Sequence, residues 1–292
     1  MDKLLPTPGG SAEHGRAAAD NFRVATGGHA RLYVEVAKRS FQRHLAYRAA
    51  TLAGLFTNSV FGVLIASMYA GFYGSRAEGA TVAGYELIEI FTFVWIGQSM
   101  IMVVYLWSWW EIATAIQTGD IVTDLMKPID YYLFWLSRDL GRAACHAITR
   151  MSPTLLMGAL LYDLALPSSP GRWLVFALSV TLAVVVSFSV RFIFNISAFW
   201  FVDVRGMHYV QYLLTTFFSG MLVPIAFFPA WLRVLSEWMP FRSIIMVPVD
   251  VALGRGNAAL MLVLQGFWAV ALGILAHLIL RRAIRKLEVQ GG

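Results

Sequence analysis

Five stretches of this chain run long without a single charged side chain: 49–75, 90–110, 173–190, 206–232 and 256–280. A helix needs about 20 apolar residues to cross hydrocarbon, so each run is a candidate span, the third continuing apolar to Trp200. Composition agrees. Hydrophobic residues make up 58% of the 292 and charged residues 14%, against about 25% charge in soluble domains. No globular core of this size absorbs so much apolar side chain, and the solvent for most of it is lipid.

A sixth span is expected at 143–162, where Arg150 and Pro153 interrupt an otherwise apolar segment. The argument for it is topological. Eight basic residues precede the first run, and four lie in the C-terminal RRAIRK. Basic residues hold loops in the cytoplasm, so both ends belong there and the number of spans is even. The expected spans are about 49–75, 86–108, 143–162, 173–200, 207–229 and 257–280. The segments then assigned inside carry 16 of the 23 Lys and Arg, and those outside carry five. The expected fold is an all-α polytopic membrane protein of the bacterial plasma membrane, with both termini cytoplasmic. Residues 1–28 lack an apolar core of signal-peptide length and read as a disordered cytoplasmic tail; 29–292 form one permease domain.

The formal net charge is +6. The basic residues sit at the ends and in short loops and do not interleave with aromatics along one surface, which argues against nucleic-acid binding. Cys145 is the only cysteine, excluding an internal disulfide or multi-cysteine metal site. None of the four lysines follows a glycine, so there is no P-loop. No metalloprotease or nucleophile-elbow motif occurs either, and His146 and His277 have no carboxylate four residues away. Neither catalysis nor a metal or cofactor in this chain is expected.

Before the first span, residues 29–48 place Leu32, Val36, Phe41 and Leu45 at near-helical spacing among Arg31, Lys38, Arg39, Arg43 and Arg48. This is a basic amphipathic helix suited to the lipid interface. Trp107, Trp109 and Trp110 end the second span, Trp173 opens the fourth, and Trp231 and Trp238 follow the fifth, at headgroup depth where indole is favoured.

Residues 109–142 are longer than a connection between two spans requires. Ile112, Ala115 and Ile116 face one way, Glu111 and Thr114 the other. Thr118-Gly119-Asp120 breaks this helix, and Asp120 can N-cap a second one carrying Ile121, Val122, Leu125 and Met126 before Pro128. The segment reads as a docking element for a cytoplasmic partner, or as an interfacial helix packed on its own bundle. On the other side, Pro224, Pro229, Pro240 and Pro248 punctuate 220–254, and Ser243–Ala252 is apolar but too short to cross. That describes a re-entrant or surface hairpin, serving as a gate or as a packing cap. Arg150 and Arg191 fall inside spans within reach of the inner headgroups; snorkelling or a structural pair is favoured over a substrate or proton site.

The chain resembles the ABC-2 type permease superfamily, in particular small bacterial six-span permeases encoded beside a separate ATPase. The resemblance rests on three segments: Gln117-Thr118-Gly119-Asp120 leading to Asp124-Leu125-Met126-Lys127-Pro128; Phe199-Trp200-Phe201; and Gly220, Pro224, Phe228-Pro229-Ala230-Trp231-Leu232, then Met239-Pro240-Phe241. It implies an N-terminal interfacial helix, a coupling helix between spans two and three, and an outer re-entrant hairpin between spans five and six. Two such domains, identical or related, would pair, each docked on an ATPase subunit that holds ATP and Mg. The coupling residues are then Glu111, Gln117, Thr118, Gly119, Asp120, Asp124, Leu125 and Lys127. The outer gate comprises Pro224, Pro229, Trp231, Pro240 and Phe241. The implied function is export of a lipophilic substrate on ATP hydrolysed by the partner chain. The alternative is a stand-alone secondary transporter or lipid scramblase.

Overall fold

Two helices show most directly what surrounds this protein. The computed structural model describes residues 30–75, 81–107 and 109–285, with Arg48 described by its backbone alone. Helix α2 (Arg48–Gly74) exposes Leu52, Phe56, Val60, Leu64 and Met68, one row at four-residue spacing. The C-terminal helix (Ala258–Ile284) exposes Leu260, Val263, Phe267, Val270 and Ile274 in the same manner. Continuous apolar stripes of this kind face hydrocarbon.

The remaining elements follow in chain order. Helix α1 is Ala30–Leu45; α3 is Leu87–Met100, prolonged by a π-helical turn Ile101–Tyr105. Two short helices, α4 (Glu111–Thr118) and α5 (Ile121–Leu125), precede α6 (Tyr131–His146), which passes through a second π turn (Ala147–Met151) into α7 (Ser152–Leu161). Helix α8 is Pro170–Ile196, α9 Arg205–Phe218, α10 Ala230–Trp238 and α11 Met246–Leu253; the C-terminal helix is α12. Among the described residues the one β pairing is a bridge between Val82 and Tyr85. Four helices among the described residues are long and apolar enough to cross a membrane: Ala49–Gly74, Leu87–Tyr105, Pro170–Phe199 and Ala258–Ile284. They match the first, second, fourth and sixth expected spans. The chain is an all-helical, multi-pass membrane protein. The expected tail, 1–28, lies outside the described residues.

The segments of the other two expected spans are helical with different bounds, and neither is among those four. The helix containing 143–162 starts at Tyr131, where Asp130 N-caps it by accepting from Leu133 N at 2.7 Å. Its first turns carry Asp139 and Arg142, which count as loop charges in the sequence; both are buried and paired with each other at 2.8 Å. Its interruption is a π turn. Pro153 offers no N–H and its ring would press on the carbonyl four residues back, so the wider turn absorbs the mismatch. Expected span 207–229 is α9, only 14 residues long, or roughly 21 Å at about 1.5 Å per residue. It stops at Ser219-Gly220, where Gly220 takes φ +78°, a left-handed conformation suited to glycine. The chain returns at Met246, whose N–H donates to Ser219 O at 3.2 Å. Helix α11 then lies in the core, buried from Met246 to Ala252, and packs on α3, α8 and α12.

Candidate functional site

Helices α4 and α5 are rooted in the bundle on one side and open on the other. Ile112 and Ile121 are fully buried in a cluster with Tyr131, Trp135, Phe188 and Phe192. The backbone of Ala113 donates to Asn195 Oδ1 near the end of α8 at 3.1 Å. Gly119 ends α4 with φ +81°, and a Cβ there would meet nothing within 4 Å. Asp120 stands at the start of α5 but does not cap it, contrary to the expectation. Its backbone is helical (φ −61°, ψ −22°) rather than extended as a capping residue requires, and its carboxylate accepts from Thr118 Oγ1 at 2.7 Å instead. Gln117 Nε2 donates to Val202 O at 2.7 Å, and Lys127 pairs with Asp124 at 2.6 Å. Glu111 pairs with Arg138 at 2.8 Å.

Gln117 to Asp120 and Lys127 are exposed, while Asp124 and Leu125 are half-buried. The exposed side also carries apolar groups: Val122, and Met126 at 79% exposure. Beside α4 runs a groove of about 760 Å³ lined by Trp110, Gln117, Phe199, Trp200, Phe201 and Val202. The expected coupling residues are thus gathered on one outward-facing helix–turn–helix. Phe199-Trp200-Phe201 form the opposite wall.

At the same end, α1 packs along α6. Its inner face is Tyr33, Val36, Ala37, Ser40, Phe41 and His44, whereas Leu32 and Leu45 of the expected stripe are exposed. The approach is close because α6 offers Gly141: a Cβ there would stand 2.0 Å from Ala37 O. Ser40 Oγ donates to Arg138 O at 2.7 Å, and Tyr33 Oη accepts from Asp130 N at 3.1 Å. Asp130 further accepts from His277 Nε2 of α12 at 3.1 Å. Burial pushes its carboxyl up, but the hydrogen bonds from His277 and Leu133 outweigh that and hold it below the usual range.

Arg150 and Arg191, the two arginines expected inside spans, are both buried here. Arg191, 1% exposed, donates to Asp139 Oδ2 at 2.7 Å; its place in α8 is fixed by that pair. Asp139 also takes Arg142, whose remaining donors reach the Met102 and Val103 carbonyls. Those carbonyls belong to the first π turn, and Ser187 Oγ donates to a third, Val104 O, at 2.6 Å. An irregular backbone inside the bundle is thereby satisfied by side chains. Arg150 lies in the notch at Gly54 and donates to Ala50 O at 2.6 Å.

At the opposite end, Pro224 is buried and opens a short 3₁₀ turn, Pro229 precedes α10, and Pro240 opens another turn. Trp231 is 70% exposed, while Phe241 is buried and lies 6.2 Å from the Phe218 ring. Asp250 of α11 receives Arg242 at 2.9 Å and Tyr85 Oη at 3.2 Å. Arg255 pairs with Glu89 at 2.9 Å and lies 3.8 Å from the Tyr85 ring centroid. Charged residues thus tie the two flanks of this cap.

Sequence reasoning missed the links Asp139–Arg191, Asp130–His277 and Asp250–Arg242. For the histidine, a partner sought at helical spacing was in fact 147 positions away. The available signal was the spacing of Asp139 and Arg142, which suits an ion pair on one helix face.

A family model described as ABC-2 family transporter protein matches residues 63–291. No curated protein and no solved structure matches the chain. The match begins within α2 and takes in α4 and α5, the 198–205 turn, the proline-rich cap and the last apolar helix. With that coverage, on an all-helical frame of long apolar spans, the chain belongs to the ABC-2 family of transporter proteins.

Proposed function

We propose that this chain is the membrane subunit of an ABC-type exporter, moving a lipophilic substrate across the bacterial plasma membrane with ATP hydrolysed on a separate nucleotide-binding chain. The observation that carries this reading is the helix–turn–helix α4–Gly119–α5. It is exposed, bears the solvent-facing apolar groups Val122 and Met126, and is rooted in α6 and α8 through Ile112, Ile121 and Asn195. A push delivered there enters the bundle through side chains already in contact.

In this reading the chain crosses six times, through α2, α3, α6–α7, α8, α9 and α12. Both termini and α4–α5 face the cytoplasm, and 220–245 forms a re-entrant outer gate built on Pro224, Pro229, Trp231, Pro240 and Phe241. The hydrogen bond closing Ser219 to Met246 and the burial of α11 support a chain that turns back without crossing. Two permease domains, identical or related, pair above two ATPase subunits. ATP closes those subunits, and the movement passes through Gly119–Leu125 into α3, α6 and α8. Helix α1 lies at headgroup depth.

Affinity purification in mild detergent tests the partner. A stoichiometric P-loop ATPase is expected, lost when Gly119–Leu125 is scrambled. Recovery of the chain free of ATPase from cells expressing its neighbouring genes would move the assignment to a stand-alone transporter or scramblase.

A further inference from the structure

We infer that the cavity enclosed by α1, α2, the first π turn, α6 and α8 binds a phosphate oxyanion. This goes beyond the exporter reading and rests on it in one respect, that α1 lies at the level of the lipid headgroups. The cavity is about 350 Å³ and is lined by five arginines, Arg43, Arg138, Arg142, Arg150 and Arg191, but by only two carboxylates, Glu111 and Asp139. Those carboxylates are already engaged: Glu111 by Arg138, and Asp139 by both Arg142 and Arg191. Among the described residues, Arg43 and Arg150 have no carboxylate partner. Arg150 and Arg191 on the lining each keep a buried Nε that has no hydrogen-bond partner.

A buried guanidinium without a counter-ion is costly, and Arg150 is buried with none. One anion beside it would supply the missing charge. Arginine's planar fork suits phosphate oxygens, and phosphate is the anion that a membrane surface presents in quantity. The approach is also prepared. Arg43 is exposed on α1 at the cavity, and Gly54 keeps open the notch for Arg150, since a Cβ there would stand 2.2 Å from Nη1. The phosphate could belong to a lipid headgroup or be free in solution.

The test uses the full chain, purified without ATPase in a neutral detergent. Short-chain phosphatidic acid is titrated by native mass spectrometry, with diacylglycerol of equal chain length as the neutral control, and inorganic phosphate is titrated by calorimetry. Phosphatidic acid is expected to bind and diacylglycerol not, with Arg43→Gln and Arg150→Gln each weakening binding about tenfold or more. Gly54→Ala, which displaces Arg150 but keeps its charge, should weaken it as well. Inorganic phosphate binding with the same arginine dependence would identify a free-phosphate site; binding of phosphatidic acid alone would identify a headgroup site. Affinities unchanged in both glutamine variants, or equal binding of diacylglycerol, would overturn the inference. Arg43 is exposed, so Arg43→Gln remains informative even if Arg150→Gln misfolds. No ATP or partner enters this measurement. Loss of the ATPase reading and loss of the phosphate site are therefore separate outcomes.

Discussion

Asp139 is the residue whose neighbours depend on it most. It is 8% exposed and holds two guanidiniums inside the helix bundle. Removing one partner of a buried pair leaves an uncompensated charge and costs about 3–5 kcal/mol. Asp139→Asn strands both Arg142 and Arg191, whereas Arg191→Met leaves Asp139 paired with Arg142. The asparagine variant should therefore melt at a lower temperature in detergent than the methionine variant, as read by intrinsic tryptophan fluorescence. Equal melting points would mean that Asp139 is not the organising charge. Sequence alone put Arg191 on a long apolar helix but could not supply its partner, because Asp139 and Arg142 read as loop charges. A charge scan registers cost and is blind to pairing between residues far apart in the chain.

At the scale of elements, two glycines make opposite demands. Gly141 is needed for space: a side chain there collides with the Ala37 carbonyl. Gly141→Ala should lift α1 from α6, so that a cysteine placed at Val36 reacts with maleimide faster than in an otherwise unchanged chain. Gly119 has open space around it and is needed for its left-handed backbone. Asparagine tolerates that conformation and valine does not. Gly119→Val should uncouple ATP hydrolysis from transport while membrane insertion is retained, and Gly119→Asn should do so much less. Normal transport by Gly119→Val would remove the coupling role from this turn. The break at Gly119 was legible because Thr-Gly-Asp interrupts an amphipathic pattern. Gly141 was not, since nothing in its own helix shows what crosses it. The end of α9 at Ser219 was equally hidden: an apolar run continues past it, and only Gly220 and Pro224 mark the turn.

For the whole molecule, sidedness is the property most open to test. Cys145 is 1% exposed, so the natural chain should label poorly and serve as its own background. Trp231→Cys is expected to react with a membrane-impermeant maleimide in intact cells, and Met126→Cys only after permeabilisation. The reverse pattern would invert the topology. Long charge-free runs made the spanning helices readable, because lipid imposes one requirement on every residue of a span. A turn within 220–254 was marked by its prolines, but the ion pairs that tie it down and the arginine cavity were not readable, since each is assembled from segments that meet only after folding. The cap has one more property. Residues 220–245 make a detour whose two ends are joined by the hydrogen bond from Met246 N to Ser219 O, with Ile225, Phe241, Ile244 and Ile245 held in the core and the outer turn of α10 exposed. A detour whose two ends coincide passes no change of its own length to the path on either side. Loops with adjacent ends accept insertions readily, so an epitope tag placed in the exposed turn of α10 between Arg233 and Leu235 should lengthen only the detour and leave the rest of the permease in register.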